Sequence, residues 1–297
     1  MSISVLHFDV FTTLPGKGNP AGIVLDGDGM SDGEMQALAA RTGFPDTAFI
    51  LKTQDADFRI RYFSTRREVE LCGHATIAAA MALHARGRLA TAALDSEFRL
   101  KTNAGILPIR IETGAEGECR VVMAQAPSQF KSFEGDVEQV ASALGITADD
   151  LHPALPIMYG STGRWTLVVP VRGLEAMRRM VPRPQTFADT LVGMPGASLH
   201  PFSLECERGG VHMHARHFSS PTSGTVEDPV TGTASGVLGA YYRSFIDASD
   251  ELPQPLVIEQ GCEIGREGRV LVWAEKISDG YAVRIAGTAC LVEEKTH

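Results

Sequence analysis

No run of lysine and arginine in this chain could form a basic patch. There are 27 basic against 36 acidic residues, a net charge of −9, which argues against a nucleic-acid partner. No apolar run approaches the ~18 residues of a membrane span, so no membrane partner is expected. The glycine-rich Pro15-Gly16-Lys17-Gly18-Asn19-Pro20 lacks the Gly-Lys-Ser/Thr ending of a phosphate loop. Cysteines are few and odd in number (Cys72, Cys119, Cys206, Cys262, Cys290), without metal-type spacing. With no signal-like N-terminus, they point to a reduced, cytoplasmic protein. Low-complexity segments and long linkers are missing too. What is present is ordinary globular composition: 297 residues, 44% hydrophobic and 21% charged, enough for a sizeable core in one large or two ordinary domains.

The organising stretch runs from Val69 to Ala80. An alternating segment, Arg59 to Phe63, leads into it, the chain turns at Gly73, and small apolar residues follow to His84. Alternation predicts a strand and the Ala-rich run a buried helix. Cys72, Gly73, His74 and Thr76 therefore stand where a helix begins, where free N–H groups and the positive dipole end favour an anion. Read alone, Gly73 could simply turn the chain and Thr76 cap it.

The stretch occurs twice. Arg61-Tyr62-Phe63-Ser64 precedes Cys72-Gly73-His74-Ala75-Thr76, and Arg216-His217-Phe218-Ser219 precedes Thr231-Gly232-Thr233-Ala234-Ser235, again opening a small-residue apolar run. Phe63 and Gly73 are 10 positions apart, Phe218 and Gly232 14, so the second copy carries a longer loop. This predicts a duplicated strand–turn–helix unit, divided into residues 1–115 and 116–297, with a C-terminal strand near 281–297 returning to the first half. A pseudo-two-fold axis would turn both helix N-termini towards one cleft.

Other elements follow from pattern. Ser31 to Thr42 predicts an amphipathic helix, with Ser31 and Glu34 forming a capping box and Gly43 ending it. Strands are expected at Ile3–Phe11, Thr47–Leu51, Phe58–Phe63, Phe98–Leu100, Gly105–Ile111, Arg120–Gln125, Trp165–Val171, Gly196–Leu204, Gly210–Arg216, Leu256–Glu259, Arg269–Ala274 and Tyr281–Ile285. Helices are expected at Val137–Leu144, Leu174–Val181 and from Thr233 to about Ile246, with a turn at Gly160–Gly163.

Two further constellations carry chemistry. His212, His214 and His217 invite a metal reading. On a strand, however, His212 and His214 share a face while His217 points away, and no carboxylate or cysteine completes a set at ligand spacing, so no metal is expected. Glu227-Asp228-Pro229-Val230-Thr231-Gly232-Thr233 places acids beside a fresh helix N-terminus, an arrangement suited to holding an anionic substrate while a side chain moves a proton. Asp46, at the turn before Thr47–Leu51, reads from its surroundings as a loop residue bonded to its own backbone.

Gly18-Asn19-Pro20-Ala21, Cys72-Gly73-His74-Ala75-Thr76 and Glu227-Asp228-Pro229-Val230-Thr231-Gly232-Thr233-Ala234, in that order and spread over nearly the whole chain, resemble the PhzF-like proteins of phenazine biosynthesis. The resemblance implies an α+β, diaminopimelate epimerase-like fold: two similar halves, each a β-barrel-like mixed sheet around a central helix. It implies an isomerase that uses no cofactor and no metal and moves a proton between carbons by general acid–base catalysis, on a dihydro-hydroxyanthranilate ring in the phenazine enzyme. Carried over position by position, Asp46, His74 and Asp228 would be catalytic. Gly73, Ala75, Thr76, Gly232, Thr233 and Ala234 would hold the substrate. Asp46 stands where the family has a glutamate, and Thr233 where the phenazine enzyme has a serine. The expected partner is a small-molecule carboxylate and the expected assembly a homodimer. Two alternatives share the sequence features: a one-thiol epimerase or dehydratase of the proline racemase type using Cys72, and a non-catalytic binder of small carboxylates. The second-half position that would carry a second thiol is Thr231, which argues against a symmetric two-thiol mechanism.

Overall fold

The computed structural model describes residues 2–89, 97–114, 117–220, 225–249 and 255–297. It divides into two compact units, Met1–Ala124 with Ala286–His297, and Gln125–Ile285. The first unit extends beyond residue 115, where the sequence suggested a boundary, because Gly105–Thr113 pairs antiparallel with Cys119–Ala124.

The first unit contains strands β1 (Ser4–Val10), β2 (Asn19–Val24), β3 (Asp46–Leu51), β4 (Phe58–Ser64), β5 (Glu68–Val69), β6 (Glu97–Thr102), β7 (Gly105–Thr113) and β8 (Cys119–Ala124). The C-terminal strand Ala289–Thr296 pairs with β1. Pairing runs from that strand through β1, β2, β3 and β4 to β6, β7 and β8, with parallel steps at β2–β3 and β4–β6. β2 starts inside the glycine–proline loop expected from the sequence. Pro20 is tolerated because it pairs only with Asp9, and the ladder to β3 begins later, at Gly22.

Two helices explain this sheet. α1 (Asp32–Thr42) is capped as its sequence predicts: the Glu34 N–H donates to Ser31 Oγ at 3.3 Å, the Ser31 N–H to Glu34 Oε2 at 2.8 Å, and Gly43 ends it at φ 73°. Its Met35, Leu38 and Ala39 pack on Val5, Val24, Phe49 and Phe63 of the sheet. α2 (Gly73–Ala85) has no polar face; Ala75, Thr76, Ile77, Ala78, Ala79, Ala80, Ala82 and Leu83 are all buried. A helix apolar all round must be enclosed. β1, β2, β3, β8 and the C-terminal strand all pack on it, so strands from both ends of the sheet reach one helix.

The second unit contains β9 (Gln129–Ser132), β10 (Met158–Ser161), β11 (Trp165–Val171), β12 (Ser198–Ser203), β13 (Met213–Ala215), β14 (Leu256–Gln260), β15 (Gly268–Lys276) and β16 (Tyr281–Gly287), the last running past the end of the unit. Pairing follows chain order from β9 to β15, with parallel steps at β11–β12 and β13–β14. Part of the expected turn at Gly160–Gly163 is strand, because Gly160 pairs with both Phe130 and Thr166. Helices α3 (Val137–Leu144), α4 (Leu174–Arg179) and α5 (Phe187–Thr190) share a core with β11 and Leu199. The enclosed helix is α6 (Gly232–Phe245), buried over most of its length. Its small residues set how closely strands approach: a Cβ added at Gly239 would lie 2.3 Å from Val272 Cγ1 of β15. Among the described residues no helix is long and apolar enough to cross a membrane, and none of the five cysteines is in a disulfide.

Gly239→Ala is expected to lower unfolding stability by about 1–2 kcal/mol despite alanine's higher helix propensity, because the added Cβ would lie 3.1 Å from the Cβ of Val272 as well, and a β-branched side chain is stiff at χ1. Gly33→Ala in α1, where an added Cβ meets nothing within 4 Å, is expected to leave stability unchanged or slightly raised. Urea titrations of both variants check the contrast.

Candidate active site

Each enclosed helix begins at a similarly built corner. In the first unit Arg61 of β4 grips Glu68 of β5 with two parallel bonds, Nε–Oε1 and Nη2–Oε2, both 2.7 Å, and its guanidinium lies 5.1 Å from the centre of the Phe63 ring. In the second, Arg216 grips Glu227 at 2.9 and 2.7 Å and lies 4.9 Å over Phe218. The pairs are 7 and 11 residues apart, so the four extra residues of the second copy fall before Glu227. Planar bidentate pairing fixes orientation as well as distance. Arg216 is nearly enclosed and also donates to the carbonyls of Met177 and Met180, so all three of its guanidinium nitrogens donate.

Beyond each corner the N-cap residue is extended, and its side chain leaves the helix end uncapped. Cys72 instead donates its thiol to Asp46 Oδ2 at 3.2 Å, and Thr231 donates its hydroxyl to Asp228 Oδ2 at 2.5 Å. Both helix starts therefore keep a carboxylate within reach of the dipole's positive end. Cys72 itself is buried. The residue is 8% exposed, yet its sulfur touches chemistry on two sides, with His74 Nδ1 at 3.4 Å.

Asp46 opens β3, paired with Ser64, so its backbone belongs to the sheet ladder rather than to a free turn. Its carboxylate is 3.9 Å from His74 Nε2, and the two side chains are 19% and 12% exposed. Burial lowers the His74 pKa to about 4 against the pull of a backbone hydrogen bond with Pro20, so the ring is neutral at neutral pH. Asp46, Cys72 and His74 thus form one compact group. Asn19-Pro20, singled out by sequence, contributes through that backbone contact.

Thr76, expected at the substrate, turns its side chain inward. Thr76 is fully buried; its N–H and hydroxyl both donate to the Cys72 carbonyl, at 3.0 and 2.7 Å, and its hydroxyl meets Tyr62 Oη at 2.7 Å. It stiffens the corner from inside. Gly73 is partly exposed, while Ala75 is buried, leaving only its backbone to offer.

In the second unit Asp228 and Thr233 are partly exposed, and Gly232 and Ala234 are buried. Gln260, which sequence reading passed over, is buried and braces this corner. Its Nε2 donates to the Asp228 carbonyl at 2.7 Å, and its Oε1 accepts from the Thr231 N–H at 3.1 Å. Nothing in local pattern marks it, since it lies 32 residues from Asp228.

The three histidines read together from sequence go to three different places. His212 Nδ1 accepts from the Val257 N–H. His217 meets His200, Nδ1 to Nδ1 at 3.2 Å, both buried. Burial lowers the His217 pKa to about 4, and burial followed by the neighbouring His217 holds His200 well below the usual range. His214 lies between Glu259 at 3.0 Å and Glu263 at 2.8 Å, with Cys262 beside it. Carboxylates and a thiol that primary spacing does not bring to this histidine are supplied by residues about 45–49 positions away.

Fold and corner geometry together define an α+β protein of the diaminopimelate epimerase-like type. Over residues 8–295 the chain matches the family described as phenazine biosynthesis-like protein, and it belongs to that family. It is 46% identical over 291 residues to an uncharacterized isomerase, YfhB, of Bacillus subtilis, covering 98% of this chain and 97% of that one. A crystal structure of a Bacillus anthracis phenazine biosynthesis protein of the PhzF family matches with TM-score 0.96 at 46% identity, over 100% of this chain and 99% of that one. The trans-2,3-dihydro-3-hydroxyanthranilate isomerase of Pseudomonas aeruginosa is 29% identical over 290 residues, 96% of each chain. The chain is an enzyme of the isomerase class.

The buried neutral histidines make stability pH-dependent with a definite sign. His217 titrates near 4 when folded and near 6.5 when unfolded, so its contribution is full above pH 6.5 and is lost as pH falls towards 4. Urea unfolding is expected to lose on the order of 2–3 kcal/mol over that window from this residue. The difference between wild type and His217→Asn across the same pH range isolates it.

Proposed function

We propose that this isomerase moves a proton between carbons of a small carboxylate substrate by general acid–base catalysis, without a cofactor. The observation that carries the reading is the group at the start of α2: a carboxylate, Asp46, beside an uncapped helix N-terminus and a neutral His74. The N–H groups of the first turn and the dipole hold the substrate carboxylate. Asp46 takes a proton from carbon, the electron pair spreads into the adjoining unsaturated system, and the proton returns to a different carbon. His74, neutral at working pH, can donate a hydrogen bond to the charge that develops without itself being a charge that binds tightly to the ground state. The name of the Pseudomonas aeruginosa relative supports the reaction class. Asp228, held by Thr231 and Gln260, is the second carboxylate assigned to this chemistry by motif.

The one-thiol reading has a specific observation behind it, the contact between Cys72 and His74. A thiol already donating to a carboxylate at 3.2 Å is poorly placed to become a thiolate, because the carboxylate's charge opposes it. Incubation of small carboxylic acids in D₂O with mass detection of exchange separates the two. Asp46→Asn is expected to lower exchange by about 10²–10⁴-fold while ligand binding survives. Cys72→Ala should keep most of the exchange. Asp46→Glu, which carries the carboxylate a methylene past its contact with Cys72, should lower it by about tenfold or more. Full activity in Asp46→Asn with loss in Cys72→Ala would transfer the role to the thiol.

A further inference from the structure

The second unit holds a polar cluster that the proposed chemistry does not use. His214 is the central residue of β13, directly opposite Glu259 on the parallel strand β14. After Gln260 the chain turns through Gly261 at φ 86°, where an added Cβ would lie 2.4 Å from the Arg266 carbonyl oxygen, so only glycine fits. A short 3₁₀ turn, Cys262–Ile264, then brings Cys262 and Glu263 back over the histidine. One donor atom from each of His214, Glu259 and Cys262 lies within 4.8 Å of the other two.

Three observations set this cluster apart from an ordinary buried ion pair. First, the side chains of His214 and Glu259 are 0% and 2% exposed and that of Glu263 is 9%. Second, Glu259 Oε2 and Glu263 Oε2 are buried with no hydrogen-bond partner, although carboxylate oxygens taken out of water need one. Third, two carboxylates face a single imidazole. The charge of Arg216 reaches Glu263, but its guanidinium is already gripped by Glu227. The His214 ring, bonded through both nitrogens, sets one positive charge against the carboxylates of Glu259 and Glu263, so the cluster carries more negative than positive charge where burial makes that costly.

We propose that His214, Glu259 and Cys262 form a binding site for a thiophilic divalent cation of the zinc class. Imidazole nitrogen, carboxylate oxygen and thiolate sulfur are the donors such ions take, with a fourth position left for water on the half-exposed Cys262 side. Glu263 supplies the outer support: its Oε1 at 2.8 Å accepts the Nε2–H of His214, while the proton on Nδ1, donated to Glu259 at 3.0 Å in the metal-free protein, is released to solvent when the cation takes that nitrogen's lone pair. Bound there, the ion ties β13 to the strand end that carries Gln260, whose side chain holds the Asp228 corner.

Cobalt(II) serves as the probe because it reports sulfur ligation. Chelator-treated full-length protein is expected to bind one equivalent, with tetrahedral visible bands and an ultraviolet sulfur-to-cobalt charge-transfer band, both erased by zinc. Cys262→Ser, a half-exposed position that should fold, is expected to lose the charge-transfer band. Glu259→Gln should weaken affinity by about tenfold or more. Cys72→Ser should bind as wild type does. Equal cobalt spectra for wild type and Cys262→Ser would overturn the site, as would a charge-transfer band removed by Cys72→Ser, which would assign the cation to the Asp46, Cys72 and His74 group.

Discussion

A helix without a polar face can exist in water only if something encloses it, and that constraint organises this protein. α2 buries nearly every side chain from Ala75 to Leu83. The sheet of the first unit must therefore bend until strands from both of its ends touch the helix. α6 imposes the same demand on the second unit, with glycine in place of alanine where β15 presses closest. Small side chains are the condition for this enclosure: they let backbone approach backbone, and each buried methyl adds its share of apolar area removed from water.

Enclosing the helix leaves its end as the place where chemistry can happen. The sides of α2 and α6 are covered, so their polar groups concentrate at the uncapped N-termini. The forks Arg61–Glu68 and Arg216–Glu227 hold the chain rigid just before those ends. An N-cap side chain that bonded its own helix would satisfy a free N–H group there. Cys72 and Thr231 instead turn to Asp46 and Asp228, so the N–H groups remain available and each carboxylate is oriented. The two copies reach this arrangement with different atoms, a thiol in one and a hydroxyl in the other. The geometry of the corner is thus more constant than the residue type that makes it.

Much of this was legible in the chain. The capping box at Ser31 and the stop at Gly43 are local devices, and they appear where the pattern put them. The duplicated Arg-x-Phe-Ser followed by x-Gly-x-Ala located both corners, because strand, turn and helix are encoded by neighbours in sequence. Asp46 and His74 could be named from motif and are in contact. The inward bond of Thr76 was not legible, because Thr76 lies on α2 and its buried partner Tyr62 on β4.

What the sequence determined by itself is whatever short range decides: which segments are helix or strand, which helix must be buried, and that Asp228 stands three residues before the helix end at Thr231. Tertiary structure alone decided which distant side chains meet. Gln260 braces Asp228 from 32 residues away, and Glu259 and Glu263 flank His214 from 45 and 49. No periodicity encodes such meetings. They depend on the register of β13 beside β14 and on the turn at Gly261, and strand register is fixed by the fit of whole faces against a core rather than by any one residue's neighbours.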